Sequence, residues 1–197
     1  TALLLIDIQN DYFPRRRMGN CPHADEAAAQ ARLALERFRE QHGPVFHVRH
    51  INTRPGAAFF LPDTPGSEIH GAVKPLDGEP VIIKHAPDAF LQTDLHDALS
   101  RAGIRKLVVC GMMSTCASTR AYGPPEATAT TSRSCMTPAP RGICHGTGKT
   151  IPAATVHEAF MAALHGAFAT CGRPGISSRP FPHNRSLFRT IAAAMRQ

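Results

Sequence analysis

Along the first 111 residues, apolar and polar positions fall into two kinds of block. Short apolar runs of strand length, ALLLID (2–7), PVFHVRH (44–50), PVIIK (80–84) and RKLVVCG (105–111), form the first kind. The second has helical spacing. ADEAAAQARLALERFREQHG (24–43) sets Ala28, Ala31, Leu35 and Phe38 on one side of a helix with Gly43 as its stop, and TDLHDALSRAG (93–103) reads as a helix capped by Thr93 and ended by Gly103. Near-continuous apolar strands separated by helices predict a parallel sheet buried on both faces.

In such sheets ligands gather outside the carboxyl ends of the strands. Asp7, Lys84 and the stretch from Cys110 to Cys116 all fall at those ends. Each alone has a plain reading: a turn cap, a solvated strand end, a buried small apolar residue. Together on one rim they supply what a nucleophile needs, a base and a charge stabiliser within reach. His47 and His50 stand three apart in a strand and so face opposite ways, which argues against a shared metal and leaves one of them to face a pocket. FFLPDTPGSEIH (59–70) is too rich in Pro and Gly for regular structure and reads as a loop over the substrate or as plain surface.

Composition narrows the classes. A chain of 197 residues that is 43% hydrophobic suits one domain with a real core. No run approaches the roughly 20 apolar residues of a membrane span, and the apolar start TALLLIDIQNDYF carries Asp7 and Asp11, unlike a secretory signal, so a soluble cytoplasmic protein is expected. Six cysteines without metal-ligand spacing imply reduced thiols. The net charge of +7 is confined to two segments, +2 over 114–147 and +5 over 171–197, and the chain has no Trp and only two Tyr to stack on bases, so nucleic acid is not expected as a partner.

The segments LLLIDIQNDYF, HVRH with PGAAFFLPDTPGSEIH, and VIIKHAPDAFLQTDLHDALSRAGIRKLVVCGMM resemble the isochorismatase-like cysteine hydrolases, almost without a break from Ala2 to Met113; GKTIPAATVHEAFMAALHGAFA (148–169) resumes the match. The resemblance implies a single α/β domain over 1–197, a Rossmann-like three-layer sandwich around a mainly parallel six-stranded sheet, and a triad of Asp7, Lys84 and Cys116. A thiolate beside an ammonium and a helix N-terminus would have a lowered pKa, and Asp7 would carry the thiol proton to a leaving amine. Gln9 and Phe13 would line the pocket floor, Asp11 would cap a turn, and the turn after Gly111 would offer backbone N–H groups to an oxyanion across a cis Met112–Met113 peptide. No metal and no cofactor is implied. The implied function is cleavage of a C–N bond in a small amide, carbamoyl or imide substrate through a thioester, by a homo-oligomer. The alternative is a non-catalytic binding or scaffold protein with a displaced cysteine. Isochorismatase proper, a vinyl-ether hydrolase, is disfavoured because that branch lacks the nucleophilic cysteine.

The pattern breaks after Met113. The family spacing puts two residues between Ser114 and the cysteine, yet only Thr115 separates Ser114 from Cys116, and Ile143 is the only Leu, Val, Ile or Phe from Cys110 to Thr150. A buried helix and strand cannot be built from that. Reading the codons one base out of register offers a remedy: Met136–Thr137 forces Asp, residues 131–144 can encode VTVVHDACATRDLS, and the codons from Ser114 can encode HMCVD. A compensated frameshift over 114–147 is therefore expected, with a weaker case over 171–190.

Overall fold

The structure is a computed structural model and describes residues 1–18, 23–113, 135–136, 143–146 and 149–164. Strands β1 (Ala2–Ile6), β2 (Val45–His50), β3 (Val81–Lys84), β4 (Leu107–Gly111) and the two-residue β5 (Cys135–Met136) form one sheet in the order β3-β2-β1-β4-β5, every pairing parallel. Among the described residues the main sheet has five strands, against the six expected. A separate antiparallel pair, β6 (Ile143–Gly146) with β7 (Lys149–Pro152), is followed by a helix over Ala153–Leu164.

The period-2 pattern of the central strands sorts side chains between two cores. Leu3, Leu5, Val45, Val108 and Cys110 pack against Ala28, Ala31, Leu35 and Phe38 of α1 (Ala24–Glu40). Ala2, Leu4, Ile6, Phe46, Val48, Leu107 and Val109 pack against Leu95 and Leu99 of α2 (Leu95–Arg101). Each α1 position chosen for its helical spacing is buried, at 1 to 5% exposure.

Three local expectations change. The left-handed residue that ends α1 is His42 (φ 51°), not Gly43; its N–H bonds the Arg39 carbonyl, and the Gly43 N–H closes the turn on the Phe38 carbonyl at 2.7 Å. Gly43 is needed for a different reason: a Cβ there would stand 2.8 Å from the Phe38 ring. At α2 the cap position is Asp94, while the Thr93 hydroxyl donates to the Ala89 carbonyl (2.6 Å) and accepts weakly from the Leu95 N–H (3.4 Å). Gly103 does end α2 as expected, left-handed at φ 64°, with the Ile104 N–H on the Leu99 carbonyl. The third change is β3, which is an edge strand: Val81 and Ile83 are 41% and 42% exposed, because α1 lies over β1 and β2 rather than over this edge.

The strand order reverses between β1 and β4, where sheets of this kind open a crevice. Gly111 is required there, since a Cβ would meet the Ile6 carbonyl oxygen at 2.7 Å. Asp7 and Met112–Met113 leave the sheet side by side at this point.

Candidate active site

Asp7 follows β1 with its backbone in the left-handed region (φ 56°), a conformation that Asp tolerates better than most residues. Its N–H continues the ladder to the Val48 carbonyl, and its carbonyl accepts the Gln9 N–H. The carboxylate is buried, with Oδ2 2.8 Å from Lys84 Nζ. Lys84, last residue of β3 and fully buried, also donates to the Pro87 carbonyl at 2.9 Å. Parallel pairing of β1, β2 and β3 brings the two charges together from residues 77 positions apart in the chain.

The pairing is incomplete. Asp7 Oδ1 is buried and has no hydrogen-bond partner among the described residues. Burial pushes the carboxyl up to about 6, and the charge and hydrogen bond of Lys84 only partly oppose this. A carboxyl that titrates near 6 can both accept and return a proton at neutral pH.

Asp7 lies in a pocket walled by Tyr12, Met18, Phe59, Phe60, Pro87 and Met113, with His50, Asn52, Arg54 and His85 on its polar side. Tyr12 and Phe60 meet edge to face at 5.0 Å between ring centroids. The His50 imidazole is lowered to about 4 by burial first and then by the Lys84 charge, so it is neutral at physiological pH. As expected for residues three apart in a strand, His47 points away: its Nε2 lies 3.0 Å from Glu79 Oε2, where Arg39 of α1 forks onto both Glu79 oxygens at 2.8 and 2.7 Å.

Several expected roles move. Gln9 and Phe13, expected on the pocket floor, are not among the residues that line it. The Gln9 amide donates to the carbonyls of His50 (2.8 Å) and Ser67 (2.6 Å) and accepts the His50 N–H (2.8 Å), so it ties the ends of β1 and β2 to the 59–70 loop. Phe13 stacks on His70 at 3.7 Å. Asp11, expected to cap a turn, accepts the Phe60 N–H at 2.7 Å, and a side chain at Gly66 would run into its carboxylate. The loop over the pocket is thus pinned by two buried polar side chains from the segment after β1, and Phe59 and Phe60 on it form part of the wall. The Met112–Met113 peptide is cis, as the resemblance implies. The Met112 N–H, however, bonds the Ile6 carbonyl at 3.1 Å and is not offered to a ligand; Met113 lines the pocket. Cys116, and with it the third member of the triad, lies outside the described residues.

Asn52, Arg54, Tyr12 and His85 escaped the sequence reading. Asn52 and Arg54 follow β2 directly, so the strand-end rule used for Asp7 and Lys84 would have found them.

The family model described as Isochorismatase domain matches residues 1–121. The chain belongs to the isochorismatase family. This isochorismatase-family hydrolase is 44% identical over 181 residues to the isochorismatase family protein YddQ of Bacillus subtilis, covering 86% of this chain and 94% of that protein. It is 36% identical over 113 residues to a streptothricin hydrolase of Streptomyces noursei, covering 57% of this chain and 43% of that protein. The solved structure of an isochorismatase from Pseudomonas putida superposes with a TM-score of 0.76 at 30% identity, over 88% of each chain. Among the described residues no helix is long and apolar enough to cross a membrane, and no cluster of His, Cys, Asp and Glu could hold a metal ion.

Proposed function

We propose that this isochorismatase-family hydrolase cleaves a C–N bond of a small amide, carbamoyl or imide compound, with Cys116 as nucleophile. The observation that carries this reading is the half-paired Asp7 carboxyl at the buried end of the pocket, one oxygen on Lys84 and the other without a partner among the described residues. Asp7 takes the thiol proton of Cys116 as Sγ attacks the substrate carbonyl carbon. The tetrahedral intermediate collapses as the C–N bond breaks, and Asp7 returns that proton to the departing nitrogen, leaving a thioester. Asp7 then deprotonates a water that attacks the thioester carbonyl, and the acid product leaves with Cys116 regenerated. Lys84 keeps a positive charge beside Asp7 throughout, and Met113 is the residue of the cis turn that meets the substrate. The streptothricin hydrolase relative supports hydrolysis as the reaction class. Cytoplasmic location and homo-oligomeric assembly belong to the same reading, and size-exclusion chromatography with light scattering checks the assembly.

The test is alkylation paired with mutagenesis. Iodoacetamide should label Cys116 faster than the other five thiols, and Cys116→Ala should abolish turnover across a panel of small amides. Equal labelling of all six thiols, with turnover surviving the substitution, would mean that Cys116 is not the nucleophile.

We infer further that residues 114–147 are read out of frame, in which case the shifted reading HMCVD from Ser114 supplies the nucleophilic cysteine in place of Cys116 and the thiol labelling is read on the expressed protein. Among the described residues the slot beside β4 holds Cys135 and Met136 alone, paired with Cys110 and Gly111. The shifted reading VTVVH, drawn from the codons of residues 131–136, supplies a strand of ordinary length for that slot. Sequencing the gene, with the intact mass of the expressed protein, decides: an open frame encoding SRSCMTPAPRG overturns the inference.

A further inference from the structure

The lining of the pocket carries two chemically different charges. The buried Asp7 charge is opposed by Lys84 at 2.8 Å, a nearly balanced pair. Arg54, by contrast, is exposed to solvent and also lines the pocket. Its guanidinium has no hydrogen bond or ion pair among the described residues, whereas Arg39 forks onto Glu79 and Arg49 bonds both the carbonyl and the hydroxyl of Ser67. Asp7 is the only carboxylate among the residues that line the pocket, so nothing in the described lining offsets the Arg54 charge. After burial, the charges of Lys84, His85 and Arg54 all act to hold the His50 imidazole neutral.

Arg54 is also held in place. The Ile51 N–H bonds the Lys84 carbonyl at 2.9 Å, the Asn52 N–H bonds the Phe60 carbonyl at 2.8 Å, and the Phe60 N–H bonds Asp11 at 2.7 Å, so the segment carrying Arg54 is fastened at both ends. Asn52 Oδ1 faces the Arg54 N–H at 3.3 Å, which leaves the Asn52 amide hydrogens without a partner among the described residues. A guanidinium and a carboxamide N–H in one pocket lining, beside the aromatic rings of Tyr12, Phe59 and Phe60, suit a planar anion with two oxygens.

We infer that Arg54, assisted by Asn52, selects substrates carrying a carboxylate at the end remote from the scissile amide. This rests on the hydrolase reading above and narrows its substrate class to small anionic amides or carbamoyl compounds. The matched probes are succinamate and succinamide, which share an amide and a two-carbon spacer and differ in one charged group.

Two measurements separate the failure of this inference from failure of the hydrolase reading. The first is binding to the Cys116→Ala protein by saturation-transfer NMR, which needs no turnover. Succinamate should bind roughly tenfold to a hundredfold more tightly than succinamide, Arg54→Gln should bring the two together, and Arg54→Lys should restore part of the gap. The second is the ratio of kcat/KM for the two amides in the wild type, which should show the same preference. If succinamate binds selectively through Arg54 and neither amide is hydrolysed, carboxylate recognition stands and the hydrolase reading falls. If both are hydrolysed with a ratio near one, or the ratio survives Arg54→Gln, the hydrolase reading stands and the inference is wrong. Binding of neither amide at millimolar concentration also overturns it.

Discussion

Two carboxylates of this chain, one just after β1 and one just before β3, sit beside a cation, and their protonation moves in opposite directions. Asp7 shares one oxygen with Lys84 and leaves the other bare in a buried pocket; its carboxyl is pushed up to about 6. Glu79, on the loop before β3, is also partly desolvated. Yet Arg39 forks onto both its oxygens, and the Leu76 N–H and His47 add to one of them, so the carboxyl is held down to about 2. The difference lies in depth of burial and hydrogen-bond saturation rather than charge count. A carboxylate whose lone pairs are filled by fixed donors ties elements together, here α1 to the turn entering β3, and is a poor proton carrier. One left half-satisfied beside a cavity keeps a proton affinity that chemistry can use.

The largest effect expected is on turnover. Asp7→Asn keeps the shape of the site but cannot take a proton, so kcat should drop by about three orders of magnitude. The corresponding change on the other side, Glu79→Ala, should leave kcat within a few-fold while removing on the order of 3 kcal/mol of stability in a urea titration, because Arg39 and buried His47 lose their shared partner. A Glu79→Ala protein that unfolds at the wild-type urea concentration would show that saturation of this carboxylate contributes nothing to the fold.

The pH dependences should separate in the same way. With Asp7 as base, kcat/KM should fall as pH drops through about 6, with the folded protein intact. Glu79 has a folded pKa below its ordinary value of 4.5. Its contribution to stability is therefore full above 4.5 and is lost as pH falls from there toward 2. Activity should thus disappear more than a pH unit before the stability that Glu79 supplies, and coincident acid transitions in activity and circular dichroism would erase the distinction. The smallest effect concerns the loop. Gln9→Ala removes three hydrogen bonds, two to His50 at the end of β2 and one to Ser67, and should cost about 1 to 3 kcal/mol, with a higher KM as the wall formed by Phe59 and Phe60 loosens.

Much of the fold up to Gly111 was legible in the chain because local period carries it. The α1 face was readable at Ala28, Ala31, Leu35 and Phe38, and each of the four strands up to there has its counterpart in the sheet. Asp7 and Lys84 were legible as site candidates because strand ends are readable from sequence and parallel sheets put those ends on one rim. The rest depended on contacts between distant residues. PVIIK reads like a fully buried strand, and only its place at the sheet edge exposes Val81 and Ile83. Gln9 looks like a pocket residue by its nearness to Asp7; its amide is instead taken up by the backbone groups of His50 and Ser67, 41 and 58 positions away.

By itself, the sequence determined the alternation of strand and helix, the strand-end positions of Asp7 and Lys84, the small residue at Gly111 and the break in pattern after Met113, all properties of neighbours along the chain. Tertiary structure alone decided that Lys84 meets one oxygen of Asp7 and not the other, that Glu79 is saturated while Asp7 is not, and that Arg54 stands over the same cavity. Proton affinity and ligand charge preference depend on desolvation and on donors within about 3 Å, and in this chain those donors come from residues tens of positions apart.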